Sequence, residues 1–355
     1  MTTIKDIARL SGYSIGTVSR VINHRSDVSS KAKQRIEEVI AQVGFQPNTN
    51  AKLLKTRDAS NITVLVKGLQ NMFLEGILEE MQVIFRQSGE QVNVMFLNET
   101  DNEVEVAAQL YKERKPKGII FLGGNRKFFE RGFKSIKVPC VLVSESDQGL
   151  AFKNLSSYAT DDTEASVSVM EYFMKKGHTN IAIVGGATSS KQGLVGYRRY
   201  KSAVNYLNKN EIPFDVKKQL YTCEFSTQAG YSAAEKLLEE NKKVTAIYAL
   251  SDTVAIGCMR AIQDHGKKIP DDISIVGYDG LELAKYTVPR LATIQQNASE
   301  LAKRSVEDLL VRIHYSSIPA KHEMIPYRVI AGESVKDMSQ KHLGGKHGNT
   351  IITKH

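Results

Sequence analysis

The chain has only three cysteines in 355 residues. Cys140, Cys223 and Cys258 are far apart, odd in number and set in apolar stretches. That excludes a disulfide framework and any zinc-ligand spacing, and it suits buried reduced thiols. No apolar run approaches the ~18–20 residues that a membrane span needs. The first residues carry Lys5, Asp6 and Arg9 where a signal peptide would need an apolar stretch. The expectation is therefore a soluble cytoplasmic protein with no membrane partner. With 8 prolines, 41% hydrophobic and 25% charged residues, the composition is that of an ordered globular chain. Its length suggests roughly two to three domains. Enzyme signatures are missing as well. IVGGATSS and VGYDG put glycines after strands, yet neither makes a GxGxxG or a phosphate loop, and no His-Glu-x-x-His or Gly-x-Ser-x-Gly occurs. No catalytic residue, cofactor or metal is expected.

Positive charge is concentrated at the two ends. Residues 1–58 hold ten Lys and Arg against five Asp and Glu, and the stretch from Lys336 holds four Lys against one Asp. The large middle is left almost neutral. A small basic unit joined to a large neutral one points to a polyanion partner for the first and a different task for the second.

The N-terminal unit reads as three helices. Ile4, Ile7 and Ala8 followed by Gly12 describe a short helix and its stop. Ser14 then caps a second helix through Thr17, Val18, Val21 and Ile22. Ser29 or Ser30 can cap a third, in which Ile36, Val39, Ile40 and Val43 repeat at helical spacing before Gly44. Two short helices around a glycine turn, completed by a third, make the helix-turn-helix pattern. On the second helix Val18 lies about 200° from Gly16. Burying Val18 thus turns Gly16 and Arg20 outward, towards a major groove.

The stretch TIKDIARLSGYSIGTVSRVIN, followed by VSSKAKQRIEEVIAQVGFQPN and AKLL, resembles the DNA-binding headpiece and hinge of the lactose-repressor (LacI/GalR) family of bacterial transcription regulators over residues 3–55. The resemblance places Ile15, Gly16 and Arg20 at base-reading positions. It places Thr3, Ser14, Thr17, Ser19, Asn23, Ser29 and Asn48 at phosphate-facing ones. Arg20 has independent support, because a guanidinium pairs bidentately with guanine O6 and N7. Bland alternatives stand beside these roles: Ile15 as a core residue, Arg20 as a solvated charge, Ser14 and Ser29 as helix caps only. Residues 48–55 suffice for about two helical turns, short of the ~12–15 residues at which an isolated helix becomes marginal. In the family this segment is a hinge helix that orders on the operator. Leu54 fits the residue that wedges into the minor groove, and Ala51 is small enough for contact between hinge helices. The alternative for Leu54 is a linker leucine packed on the core.

Beyond the hinge, β-rich runs alternate with helical patterns: ITVLVKG (62–68), VNVMFLN (92–98), GIIFLGG (118–124), CVLVSE (140–145), NIAIVGG (180–186), VTAIYALSD (244–252) and ISIVGYD (273–279). This is βαβ construction, too long for one sheet. The expected fold is a small all-α helix-turn-helix headpiece (1–46), a hinge (47–60), an α/β core of two doubly wound lobes (61–335) and a flexible basic tail (336–355). The core also resembles the family's periplasmic-binding-protein-like pair of lobes with three crossovers. Lobe one is placed at 61–160 plus 291–318, and lobe two at 161–290 plus 319–335.

Open α/β sheets bind ligands beyond the carboxyl ends of their strands. That rule and the resemblance together nominate Ser144, Arg199, Phe225, Ser251 and Asp279, with Asp162 at the first crossover. Arg199 and Asp279 would grip hydroxyls and Phe225 would stack, a set suited to a carbohydrate. The alternatives are an inter-lobe ion pair or a strand-end cap for Arg199 and Asp279, a core role for Phe225, and helix capping for Asp161 or Asp162. Lys67-Gly68 and QNMF (70–73) depart from the family pattern, as do Ser144 and Ser251. A phosphorylated or acidic effector stays open, since Lys67 would add a cation. The tail lacks a leucine heptad, which favours a homodimer. The expected function is a repressor that binds a palindromic double-stranded DNA operator and is controlled by a small-molecule effector. The alternatives are control by a partner protein and an enzyme fused to a headpiece.

Overall fold

In the computed structural model, which describes residues 4–22, 28–43, 61–69, 71–146, 149–150, 152–186 and 195–339, the chain divides into a unit of residues 1–58 and a unit of residues 59–355. The first unit contains α1 (Ile4–Ser11), α2 (Ile15–Ile22) and α3 (Ser30–Val43). Their apolar faces meet in one small core. Ile7, Val18 and Ile36 are fully buried there, with Val21 and Val39 beside them and Tyr13, Val28, Ile40 and Val43 at the edge. Gly12, at φ +78°, supplies the left-handed residue that ends α1. Both serine caps form: Ser14 Oγ accepts the Thr17 N–H at 3.1 Å, and Ser29 Oγ accepts the Ala32 N–H at 3.4 Å.

The second unit is built on two six-stranded sheets. β1 (Ile62–Lys67), β2 (Val92–Leu97), β3 (Ile119–Leu122), β4 (Cys140–Val143) and β5 (Leu155–Ala159) run parallel in the order 2-1-3-4-5. Helices α4 (Met72–Gln87), α5 (Glu103–Arg114) and α6 (Arg126–Gly132) connect them. The other sheet repeats the order with β6 (Ile181–Val184), β7 (Leu220–Tyr221), β8 (Ala246–Ala249), β9 (Ser274–Asp279) and β10 (Ala292–Gln295). Its helices are α7 (Asp162–Lys175), α8 (Val195–Lys209), α9 (Val216–Gln219), α10 (Thr227–Glu240) and α11 (Asp252–Asp264). The strands inside both sheets are buried along almost their whole length, as expected of parallel strands covered on both faces, whereas the edge strand β2 is mostly half-buried or exposed.

The chain crosses between sheets three times, and the strand pairing corrects the lobe boundaries. β10 lies parallel to β9, with Ala292 opposite Val276, so residues 292–295 belong to lobe two and not lobe one. The chain returns to lobe one with α12 (Ala298–His314), whose Leu301, Ala302, Val306 and Leu309 pack on β1, β3 and β4. β11 (His322–Met324) extends the first sheet beside β5, not the second, and β12 (Arg328–Ile330) closes the second antiparallel to β10. Short strands such as ATIQ and HEM carry too few residues for period-two patterning, so backbone pairing decides their sheet. The start of the expected tail is also fixed. Met338 N–H donates to Lys176 O at 2.8 Å, Asp337 pairs with Lys176 at 2.9 Å, and buried His178 meets the Lys336 carbonyl at 3.1 Å.

Candidate functional site

In the small unit, α2 presents one exposed face. Val18 occupies the core, while Gly16 and Arg20 are exposed and Ile15 is 47% exposed. The core alternative for Ile15 therefore fails, because the apolar contact it would need is taken by Val18. Ser14 is exposed and engaged twice, capping Thr17 N–H and sharing a hydrogen bond with the Thr17 hydroxyl at 2.9 Å. Ser29 likewise caps its helix. Thr3, Asn23, Asn48, Ala51 and Leu54 lie outside the described residues, as does the side chain of Ser19.

In the large unit, both sheets have the same switch point, where the chain leaves β1 and β3 in opposite directions, and likewise β6 and β8. Those carboxyl ends converge on a cavity with about 90 Å³ of water-accessible space. Lobe one contributes Lys67 at the end of β1, Gly123 and Gly124 after β3, and Ser144 and Glu145 after β4. Lobe two contributes Val195 and Arg199 from α8, Phe225, Ser251 after β8, and Asp279 at the end of β9. Close backbone packing lets α8 reach this place: a Cβ on Gly196 would stand 2.5 Å from Gly186 Cα. Five of the six nominated residues thus line one cavity. Asp162 does not; it stands behind Arg199.

Arg199 is buried and held on several sides. Its Nε donates to Asp162 Oδ1 at 2.7 Å, its Nη1 donates to Leu250 O at 2.8 Å, and Nη1 lies 3.6 Å from Asp279 Oδ1. The guanidinium carbon stacks 3.6 Å from the Tyr278 ring centre. Asp162 also accepts the Tyr278 hydroxyl at 2.9 Å, while Asp161 caps α7 through the Thr163 and Glu164 N–H groups. The two acids at the crossover therefore divide the roles left open by the sequence: one caps, the other fixes the arginine. Asp279 sits at φ +118° and accepts from Gln296 Nε2 at 2.8 Å. Burial raises its carboxyl to about 7, against the lowering influence of Arg199 and Gln296. Ser251 caps α11 by accepting the Val254 N–H at 3.1 Å, which leaves its hydroxyl proton to donate. Phe225 is half-buried, packed on the core and lining the cavity at once.

Lys67 faces the cavity without being a spare cation. It is buried, donates to Glu103 in a short ion pair and to Asp101 O at 2.8 Å, and lies 4.8 Å from the Phe128 ring centre. Two further acids bridge the lobes. Glu145 pairs with Arg198 of α8, and Glu99, after β2, accepts the Phe225 backbone N–H. Burial raises the carboxyls of both.

Comparison with known proteins finds the model of bacterial regulatory proteins of the lacI family over residues 3–48 and that of a periplasmic binding protein-like domain over 170–335. The transcriptional regulator MalR of Clostridium butyricum is 33% identical over 337 residues, which cover 93% of this chain and 98% of that one. The chain belongs to the LacI family. It is a DNA-binding regulator of transcription, and the relatives it matches are regulators rather than enzymes. Among solved structures, the Lac repressor dimer bound to operator and the anti-inducer ONPF is 25% identical with a TM-score of 0.71, covering 94% of this chain and 99% of that one. A LacI-family regulator from Enterococcus faecium with bound ribose is 26% identical with a TM-score of 0.66, covering 78% and 99%.

In this LacI-family chain the sequence reading passed over Glu99, Glu145, Asn71 and Thr253, all of which line the cavity. Glu145 carried a legible signal: it follows Ser144 at the end of an apolar strand, where a charge is costly unless it has a task. Glu99 lies in the polar loop NETDNE and looks like any solvated turn. Among the described residues no cluster of His, Cys, Asp and Glu could hold a metal ion, and no helix is long and apolar enough to cross a membrane.

Proposed function

We propose that the chain is a cytoplasmic repressor that binds a near-palindromic operator as a homodimer, controlled by a sugar or sugar derivative held between the two lobes. The observation that carries this reading is the cavity itself. Both lobes wall it at their switch points, and it combines a guanidinium–carboxylate pair, an aromatic ring and a free hydroxyl donor, the groups that suit vicinal hydroxyls and an apolar sugar face. Its place between two walls, one from each lobe, favours a small molecule over a partner protein as the controlling ligand. On the DNA side, α2 offers Arg20 for a guanine, with Ile15 and Gly16 limited to van der Waals contact with a thymine methyl. Ser14, Thr17, Ser19 and Ser29, together with Thr3, Asn23 and Asn48, would face phosphates, and paired hinges with Leu54 would hold the operator centre.

Selection of bound sites from a random duplex pool tests the reading, at stated ionic strength because phosphate contacts make affinity steeply salt-dependent. The expected result is one palindrome whose half-sites lie about one helical turn apart, or a multiple of it. A sugar screened by thermal shift should then change the affinity for that palindrome by roughly five- to 150-fold. A non-palindromic or absent consensus would overturn the dimeric operator reading.

A further inference from the structure

The cavity's charges decide what kind of ligand it can hold, given that it holds one at all as proposed above. Among the described residues, five carboxylates line it or stand directly behind it: Glu99, Glu103, Glu145, Asp162 and Asp279. Three cations answer them, and each is already engaged. Lys67 is paired with Glu103, Arg199 lies between Asp162 and Asp279, and Arg198 is paired with Glu145 and 3.5 Å from Asp162. Glu224 adds further negative charge near Glu99. Among the described residues no unpaired cation remains for an incoming anion; the Arg198 Nε–H, buried without a hydrogen-bond partner, still lies 3.5 Å from Asp162.

Hydrogen bonding points the same way. Glu145 is 2% exposed, and its Oε1 takes Arg198 and the Ser146 N–H at 3.0 Å. Its Oε2 is buried with no hydrogen-bond partner. Such an acceptor in a cavity wall calls for a donor from the ligand. The opposing influence is the positive ends of α4 and α11, which meet the cavity near Asn71 and Ser251. One N–H of each first turn is capped, as Asn71 accepts the Leu74 N–H at 3.2 Å and Ser251 accepts that of Val254, and buried Asp252 places another carboxyl on α11. Burial raises the carboxyls of Glu99, Glu145 and Asp279 despite the lowering influence of Lys67, Arg198 and Arg199.

We infer that the cavity takes a polyhydroxylated ligand without an anionic group, which presents a hydrogen-bond donor, an ammonium best of all, to Glu145, and that Glu145 is the residue that rejects sugar phosphates. The full-length protein tests this by thermal shift and calorimetry against matched sets: neutral mono- and disaccharides, their 2-amino counterparts and their 6-phosphates. The expected order is amino sugar at least equal to neutral sugar, with the phosphate weaker by roughly a hundredfold. Glu145→Gln should narrow the gap between neutral and phosphorylated ligand, and Arg198→Gln, which leaves Glu145 uncompensated, should widen it. The opposed directions separate an electrostatic effect from damage to the fold. A 6-phosphate that binds as tightly as its neutral parent overturns the inference while leaving a small-ligand site in place. No shift with any member of the three sets overturns both the inference and the small-ligand reading beneath it.

Discussion

Asp279→Asn should make the core more stable at neutral pH while abolishing its response to ligand. The carboxyl is buried at the end of β9, and burial raises it from the ordinary 3.8 to about 7. Well below pH 3.8 it is protonated in both the folded and the unfolded chain and costs nothing. As the pH rises, the unfolded chain releases the proton and the folded one keeps it. Stability therefore falls by about 1.4 kcal/mol per pH unit until the folded carboxyl ionises near 7. Over roughly three units this single group removes about 4 kcal/mol. Asparagine keeps an oxygen for Gln296 and carries no charge to desolvate. Urea unfolding of both proteins between pH 4.5 and 8 is the assay, at buffer pH steps of about one unit. Glu99, Glu145 and Asp252 are raised by burial as well and impose the same sign of slope on both, so the readout is the difference between the curves. That difference should be small at the acid end and grow to a few kcal/mol in favour of the variant at pH 8. A variant less stable than the parent by the same amount at every pH would refute the reasoning.

Ile36→Ala, which empties the centre of the headpiece core, should cost about 2–5 kcal/mol; operator binding should vanish while the thermal transition of the core unit stays in place. Arg20→Ala should weaken operator binding by about 1–3 kcal/mol and relax the preference at one base pair of each half-site, read by competition with single-base variants. Leu54→Ala, in the hinge outside the described residues, should leave thermal transitions unchanged and cut specific DNA affinity, whereas unchanged affinity would return Leu54 to a linker role. Lys67→Met strands the buried Glu103 carboxylate and should cost about 3–5 kcal/mol by urea unfolding. Adding Glu103→Gln should recover most of that loss with the ligand response intact, and a double variant deaf to ligand would make Lys67 a ligand contact after all.

Elements with strong local grammar were readable from the sequence. The three headpiece helices announce themselves by caps, a glycine stop and helical spacing, and the seven long β-rich runs are all strands. The rest depended on pairing that one-dimensional patterning does not carry. LSSYA puts polar residues inside a fully buried strand, since Ser156 and Ser157 find partners in Arg312, Lys321 and His322, more than 150 positions away. For the cavity, the strand-end rule found Ser144, Ser251 and Asp279 because it is a statement about topology. It could not tell that Asp162 would hold Arg199 from behind and stand outside the cavity lining. Nor could it tell that Lys67, the apparent cation, would be neutralised by Glu103 from the next helix.

The cavity concentrates the core's unfavourable features. Ser144 at φ +64° and Asp279 at φ +118° are two of the four non-glycine residues with positive φ among the described residues, and each such conformation costs of order 1–3 kcal/mol. Beside them stand acids raised by burial and the unpartnered oxygen of Glu145. A ligand that donates hydrogen bonds to these groups relieves the same cost that Asp279→Asn removes. The variant is thus a permanent, partial substitute for ligand in the core. Linkage then turns its operator affinity into a sign: whatever stabilises the ligand-bound arrangement must shift DNA binding in the ligand's direction. Tighter operator binding by Asp279→Asn would mean that the ligand recruits the protein to DNA, and weaker binding would mean that it releases it. Unchanged binding would mean that the cost at Asp279 is the same in both arrangements, and the coupling would then run through the other contacts that join the lobes, Glu145 with Arg198 and Glu99 with the Phe225 N–H.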